Sequence, residues 1–459
     1  MIYRFFPKPS SWRVVFLVGC LLIPTANLCE TTPVGNDAKK YDRLSNVKDL
    51  KSNRGIRFLF MHDSSAPVVH VCLFFKYSGS AYQEKTKSGV PVFYSGAVSC
   101  GSGKYSRIQF RRELANRLIS MNCSSDSDAI AFSMTTPKIV LEEAAALFNA
   151  YLNEPTFEKD EVKRIQEGLA ASLQDYAEDP GAAASRMFLP ALIFKSHPYE
   201  AGFAGTAENL MMLSGDDLKK YKSDFLTAAN AEACICGDLS GEEAKNLLDK
   251  IFRNVPQGVP AKDTVPDTDP ITESAPKEYY EQTPQSTLVF ALKTERNHSP
   301  NLYVATVLSS ILGGGMMKSR IMAQLRSKEG LIYSGHTKII HMNHADFIRG
   351  ALKTDNANVK KSIESLKKIL TDLRENGITE DDLAFAKSNI SGSLLVSLRT
   401  SRDLCRFYFA KMQEGFGANA LKDTLKGINA VTVEDVNDLA KKTLDENNIA
   451  FIIIGGNEQ

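Results

Sequence analysis

Seven histidines and eight cysteines are the side chains in this sequence best suited to metal binding or nucleophilic attack, and neither set falls into a working pattern. The closest histidine pair, His341 and His344, has no carboxylate at metal-motif spacing, so both are expected as surface histidines. Cys72, Cys100, Cys123, Cys234, Cys236 and Cys405 are scattered without a repeated metal-binding interval. Cys234 and Cys236 fall in an apolar run that reads as a strand, where residues two apart share a face, and are expected as buried free thiols. An oxidising compartment would still permit disulfides elsewhere. No Ser/His/Asp or Cys/His set is legible, although sequence order does not exclude one. Neither Gly101-Ser102-Gly103-Lys104-Tyr105 nor Gly313-Gly314-Gly315-Met316 fits a phosphate-binding loop: Tyr105 occupies the Ser/Thr place, and the second run lacks the Gly-Lys step. Both are read as tight turns.

Two similar halves must position whatever chemistry exists. Prolines at 256, 260, 266, 270, 276 and 284, set among Asp, Thr and Glu, mark 254–284 as a linker between a first domain over 41–253 and a second over 285–459. The halves end alike. Leu213-Ser214-Gly215-Asp216-Asp217-Leu218 opens a helical pattern that leads to an apolar strand and Gly237; Val431-Thr432-Val433-Glu434-Asp435-Val436 does the same before Gly455. The equal spacing from Asp217 to Gly237 and from Asp435 to Gly455 points to an internal duplication. Strands are expected over 68–77 and 287–292, and helices over 158–178 and 359–374, giving an α+β (mixed α/β) class with helices packed on a mainly antiparallel sheet in each half.

Length alone suggests two or three domains for 459 residues. The formal net charge of +1 lacks the basic excess that nucleic-acid binding needs, and nucleic acid is excluded as a partner. Arg4, Lys8 and Arg13 precede an apolar stretch over 14–26, which reads as a secretory signal within 1–29 and implies a periplasmic protein. An uncleaved anchor or an organelle transit peptide are the alternatives. Cys20 and Cys29 stand in or beside this segment. No membrane span is expected in the mature chain.

Gly79-Ser80-Ala81-Tyr82-Gln83-Glu84, followed by Ser88-Gly89-Val90-Pro91-Val92-Phe93-Tyr94-Ser95-Gly96-Ala97-Val98, resembles the pitrilysin-type (insulinase-like) zinc peptidases. In that family the second segment carries an inverted H-x-x-E-H motif. Residues at i, i+3 and i+4 share a helical face, so two imidazoles hold Zn²⁺ while the intervening Glu activates its water. The resemblance places the two histidines at Val92 and Gly96, the glutamate at Ser95, and the third ligand at Ser172, aligned on Gln174-Asp175-Tyr176-Ala177-Glu178-Asp179-Pro180. None of these four supplies the required donor, so this chain is expected to hold no metal. Ser172 is expected on an inward face with Ile165, Leu169 and Tyr176.

Ser196-His197-Pro198-Tyr199 and Ala204-Gly205-Thr206-Ala207-Glu208-Asn209-Leu210 are similar to structural segments of the same family. Leu312 to Arg320, running into Leu325-Arg326-Ser327-Lys328-Glu329-Gly330-Leu331-Ile332-Tyr333, resembles its Gly-rich turn and Arg-x6-Tyr signature. That likeness implies that Arg326 and Tyr333 grip a substrate backbone and donate to the oxyanion at the scissile carbonyl. A solvated helix Arg and a core Tyr form the bland alternative. The resemblance implies an exported, non-catalytic subunit of a heterodimer, with Zn in a homologous partner and unfolded peptide as substrate, added to a sheet edge. A homodimeric peptide-binding or scaffold protein is the alternative.

Overall fold

The computed structural model describes residues 46–174, 179–271 and 275–456; the leader expected over 1–29 lies outside them, as does Tyr176. In the first half, strands β1 (Val47–Lys51), β2 (Arg57–His62), β3 (Val68–Phe75), β4 (Ser120–Ser125), β5 (Ile130–Pro137) and β6 (Ala231–Gly237) form a sheet in the order β1-β2-β6-β3-β5-β4. In the second, β7 (Lys277–Tyr279), β8 (Thr283–Lys293), β9 (Ile332–His341), β10 (Asp346–Asp355) and β11 (Ala450–Gly456) run β9-β10-β8-β11-β7. Read from its other edge, the second order repeats the first without β1. Both sheets are antiparallel except at one equivalent place, where β2 pairs with β6 and β7 with β11 in parallel. The α+β class with helix-packed, mainly antiparallel sheets is therefore present, as one topology used twice.

Helices α1 (Val90–Ala97), α2 (Lys159–Gln174) and α3 (Gly215–Phe225) contribute Phe93, Tyr94, Val162, Leu218 and Tyr221 to the first core. In the second half, α4 (Val359–Glu375) and α6 (Val433–Thr443) do likewise through Leu366, Leu370, Val436 and Leu439, while α5 (Ser401–Gln413) lies between them in sequence. The ends of the two halves, recognised as alike in sequence, match in detail. Ser214 and Asp217 cap α3 reciprocally at 2.9 and 3.3 Å, as Thr432 and Asp435 cap α6 at 2.8 and 3.1 Å. Each following strand closes on a left-handed glycine, Gly237 at φ +154° and Gly455 at φ +139°. A Cβ there would lie 2.4 Å from the Val68 carbonyl oxygen or 2.7 Å from Ser286 Oγ, so the neighbouring strand admits only glycine.

Near-continuous apolar strands such as β3 and β11 require cover on both faces, and each sheet obtains its second cover from the other half. Leu404, Cys405, Tyr408 and Met412 of α5 pack on Leu59, Cys72, Phe74 and Cys234 of the first sheet. Reciprocally, Ala184, Leu189, Leu192 and Ile193 pack on Val289, Ala291, Ile452 and Ile454 of the second. Cys234 and Cys236 are both buried and pack in the α5 contact. The Pro-rich segment expected as a linker is a packed strap: Val265 is buried in the second contact, β7 extends the sheet, and β8 begins at Thr283. Among the described residues no helix is long and apolar enough to cross a membrane.

Candidate functional site

The first-half site is built where α1 lies against α2. Apolar residues on nearly every side of α1 bury it, which fixes Val92, Ser95 and Gly96 against their neighbours. Val92 and Ser172 line one cavity of about 310 Å³ together with Leu169, Leu173, Phe203 and Leu210. Gly96 meets the same helix: a Cβ there would stand 2.7 Å from Ile165 Cγ2. The Ser95 hydroxyl turns back on its own helix and donates to the Val92 carbonyl at 2.8 Å. The fold thus juxtaposes α1 and α2 at these positions, but the chemistry for zinc is missing. A zinc site needs imidazole, thiolate or carboxylate donors; these four residues offer two hydroxyls, one already committed, and do not fit the metal. Among the described residues no group of three or more His, Cys, Asp or Glu is arranged to hold an ion. The inward face expected for Ser172 needs correction: Ile165 and Leu169 are half-buried and Ser172 is exposed, because the cavity it lines is open to solvent.

The second-half candidates follow the Gly-rich segment, which is not the tight turn expected: Ser310–Gly314 continues the helix Leu302–Ser309 as a widened helical turn. Gly313 passes so close to β9 that a Cβ would lie 2.8 Å from the Thr337 nitrogen. Beyond it Met316 takes φ +55°, and Met316 and Met317 are 71% and 49% exposed. Arg326 lies within the helical segment Met322–Lys328, exposed, with one guanidinium nitrogen 3.6 Å from Met317 Sδ. Tyr333 is the extra residue of a β-bulge, because the β9–β10 register shifts between Ile332 and Ser334. Bulges re-aim side chains, and Tyr333 is 49% exposed rather than a strand-core residue. Its hydroxyl donates to Asp355 Oδ1 at 2.9 Å, and that hydrogen bond holds its pKa above the ordinary tyrosine value. Tyr333 therefore keeps its proton, and the proton is directed at Asp355.

A polar cluster joins the halves, which motif reading missed. His341 and His344, expected at the surface, are half-buried and buried respectively. Asp346 meets His341 Nδ1 at 2.5 Å, and Asp267 and Asp263 of the strap meet the two ring nitrogens of His344 at 3.0 and 2.9 Å. Asp263 and Asp267 come from a distant segment, so local spacing could not reveal them, whereas Asp346 lies five residues from His341 in sequence. Arg296 donates to the Thr268 and His344 carbonyls at 3.0 and 2.7 Å. Tyr199 donates to Asp128 Oδ1 at 2.6 Å, and the Asn343 amide to Oδ2 at 3.0 Å. Burial, with Asp126 nearby, pushes the Asp128 carboxyl up to about 7. His197 is structural: Nε2 contacts the Pro266 carbonyl at 2.9 Å, and Nδ1 accepts from the Tyr199 amide. Beside this cluster opens a cleft of about 780 Å³ lined by both halves, Arg57, Lys76 and Glu232 facing Arg296, Asp346 and Glu414.

The chain is similar to known proteins over most of its length. Two family models match, one described as insulinase (peptidase family M16) over residues 57–207 and one as the peptidase M16 inactive domain over 213–390. A protein of Helicobacter pylori described as a non-peptidase homolog is 23% identical over 382 residues, covering 83% of this chain and 88% of that protein. Among solved structures, a peptidase M16 inactive domain from Pseudomonas fluorescens superposes with a TM-score of 0.82 at 21% identity, covering 90% of this chain and 99% of that one. A chain of complex III2 from Candida albicans gives a TM-score of 0.72 at 16% identity, covering 89% of this chain and 96% of that one. The structural likenesses concern the fold.

Proposed function

Because the chain belongs to the M16 (insulinase) peptidase family, we propose that it is a non-catalytic subunit that lends Arg326 and Tyr333 to the zinc site of a homologous partner. The observation that carries this reading is an asymmetry between its halves. Positions 92, 95, 96 and 172 lack every strong metal donor, while Arg326 and Tyr333 stand exposed. The description of the Helicobacter pylori relative as a non-peptidase homolog supports the first half of it.

The role assigned to the retained pair is electrostatic. A guanidinium fixes the substrate carbonyl and a phenol donates to the oxyanion, which is worth most in the transition state, when charge develops. Tyr333 must exchange Asp355 for the substrate to do so, and an exposed hydrogen bond is cheap to exchange. Zn²⁺, held by the partner, supplies the water activation that this chain cannot. Export to the periplasm belongs to the same proposal and rests on Arg4, Lys8, Arg13 and the apolar stretch after them.

The Tyr333–Asp355 bond also favours a second reading, in which the chain binds or shields peptides as a homodimer and the phenol is structural. Native mass spectrometry of this chain with the zinc-bearing homologue of the same organism separates the two. A 1:1 complex carrying one zinc supports the heterodimer; two non-exchanging homodimers favour the scaffold.

A further inference from the structure

The face of the second sheet that the first half partly covers carries cations to which no described residue gives an ion-pair partner. Lys338 of β9 stands directly opposite Arg349 of β10, and His336, two residues earlier on β9, shares the Lys338 face. Like charges directly opposed across antiparallel strands destabilise the pair. Arg186, from the segment Ala184–Phe188 that the first half lays on this sheet, adds a further positive charge. Arg57, Arg107, Arg296, Arg320 and Arg374 each have a carboxylate partner. Among the described residues Arg186, Lys338 and Arg349 form no ion pair. Burial first, and then the neighbouring cations, hold the pKa values of Lys338 and Arg349 below the ordinary range. His336 is lowered for the same reasons.

Arg186 also connects this floor to the vacated metal position. It lines the cavity of about 310 Å³ that Val92 and Ser172 share, with its guanidinium 5.7 Å from the Phe203 ring centre. On the other side, β9 is the edge strand of its sheet, with one row of backbone groups open to an added strand.

We propose that this surface binds an acidic stretch of extended peptide, with Arg186, Lys338 and Arg349 taking its carboxylates and β9 offering its edge to the backbone. The inference rests on the peptide-binding part of the function above and names the class of peptide. An anion between these groups would remove their mutual repulsion, and charge-assisted contacts of this kind are the strong ones.

The test is fluorescence anisotropy of the whole chain with two fluorescein-labelled unstructured peptides of equal length, one Glu-rich and one Ser/Gln-rich. The Glu-rich peptide should bind at least about tenfold more tightly. A Lys338→Ala/Arg349→Gln double variant should lose that preference without changing the Kd of the neutral peptide, and Lys338→Arg should keep it. Equal binding of the two peptides, or a preference that survives the double variant, overturns the proposal. Thermal shift with tripolyphosphate separates the two readings. If no peptide binds but tripolyphosphate stabilises the native chain and not the double variant, the anion site stands and the peptide reading falls. If neither ligand acts, both fall.

Discussion

At the residue scale, the degenerate motif was legible because it lies in one short segment. Val92, Ser95 and Gly96 could be named as degenerate ligand positions only because the segment around them resembles the inverted zinc motif of a known family, and α1 gives that segment the helical i, i+3, i+4 geometry the motif uses. Tyr333 was legible only as a motif member. Its exposure comes from a bulge, and a bulge is a property of the register between β9 and β10 rather than of either strand. The carboxylates around His344 escaped notice for the same reason, since they arrive from the strap. If Arg326 and Tyr333 complete a partner's site, Arg326→Ala and Tyr333→Phe should each lower kcat/KM of the reconstituted pair by about 10²- to 10³-fold, mostly in kcat. Both side chains are exposed, so the thermal unfolding midpoint should stay where it is. A fall in activity that tracks a fall in midpoint would assign them to structure.

At the element scale, type and order were readable and the close approaches were not. Capping sequences such as Ser214 to Asp217 and Thr432 to Asp435 announce where helices start. The need for glycine in the Gly-rich segment comes instead from β9 crossing it. Gly313→Ala would force a methyl within 2.8 Å of the Thr337 backbone nitrogen, and should destabilise the chain by about 1–3 kcal/mol in urea unfolding. Gly168 in α2 is the opposite case: nothing lies within 4 Å of a Cβ there. Gly168→Ala should stabilise by about 0.5–1 kcal/mol, the helix-propensity gain. Equal effects at the two positions would mean that the Gly-rich segment yields and the β9 contact is soft.

At the scale of the whole molecule, the duplication was legible from repeated chain ends, but the exchange of covers was not. Nothing local in 401–413 says that α5 belongs on the sheet of the other half; the apolar character of both faces of β3 and β6 is the one hint, and it names no partner. This reciprocal packing buries titratable groups whose effects on stability oppose each other. His70, buried and close to Arg402 and Arg406 of α5, with Asp63 and Asp403 of opposite effect, is lowered to about 4 from 6.5. Between those values the unfolded chain binds a proton that the fold refuses, so this site makes stability rise with pH. Asp128, raised from 3.8 to about 7, keeps a proton in the fold that the unfolded chain has lost, so over that range it makes stability fall as pH rises. In urea titrations between pH 4.5 and 7.5 the two slopes should oppose each other up to about 6.5 in the native sequence, with Asp126, also raised by burial, adding to the Asp128 side. His70→Gln should expose the falling slope and Asp128→Asn the rising one. Parallel profiles in all three proteins would remove both assignments.

The most direct measurement is peptidase turnover on an unstructured peptide while this chain is titrated into a fixed amount of the zinc-bearing homologue of the same organism. A non-catalytic subunit predicts no turnover from this chain alone, and a rate that climbs to a plateau at one equivalent. A flat titration, or turnover by this chain without the homologue, would contradict it.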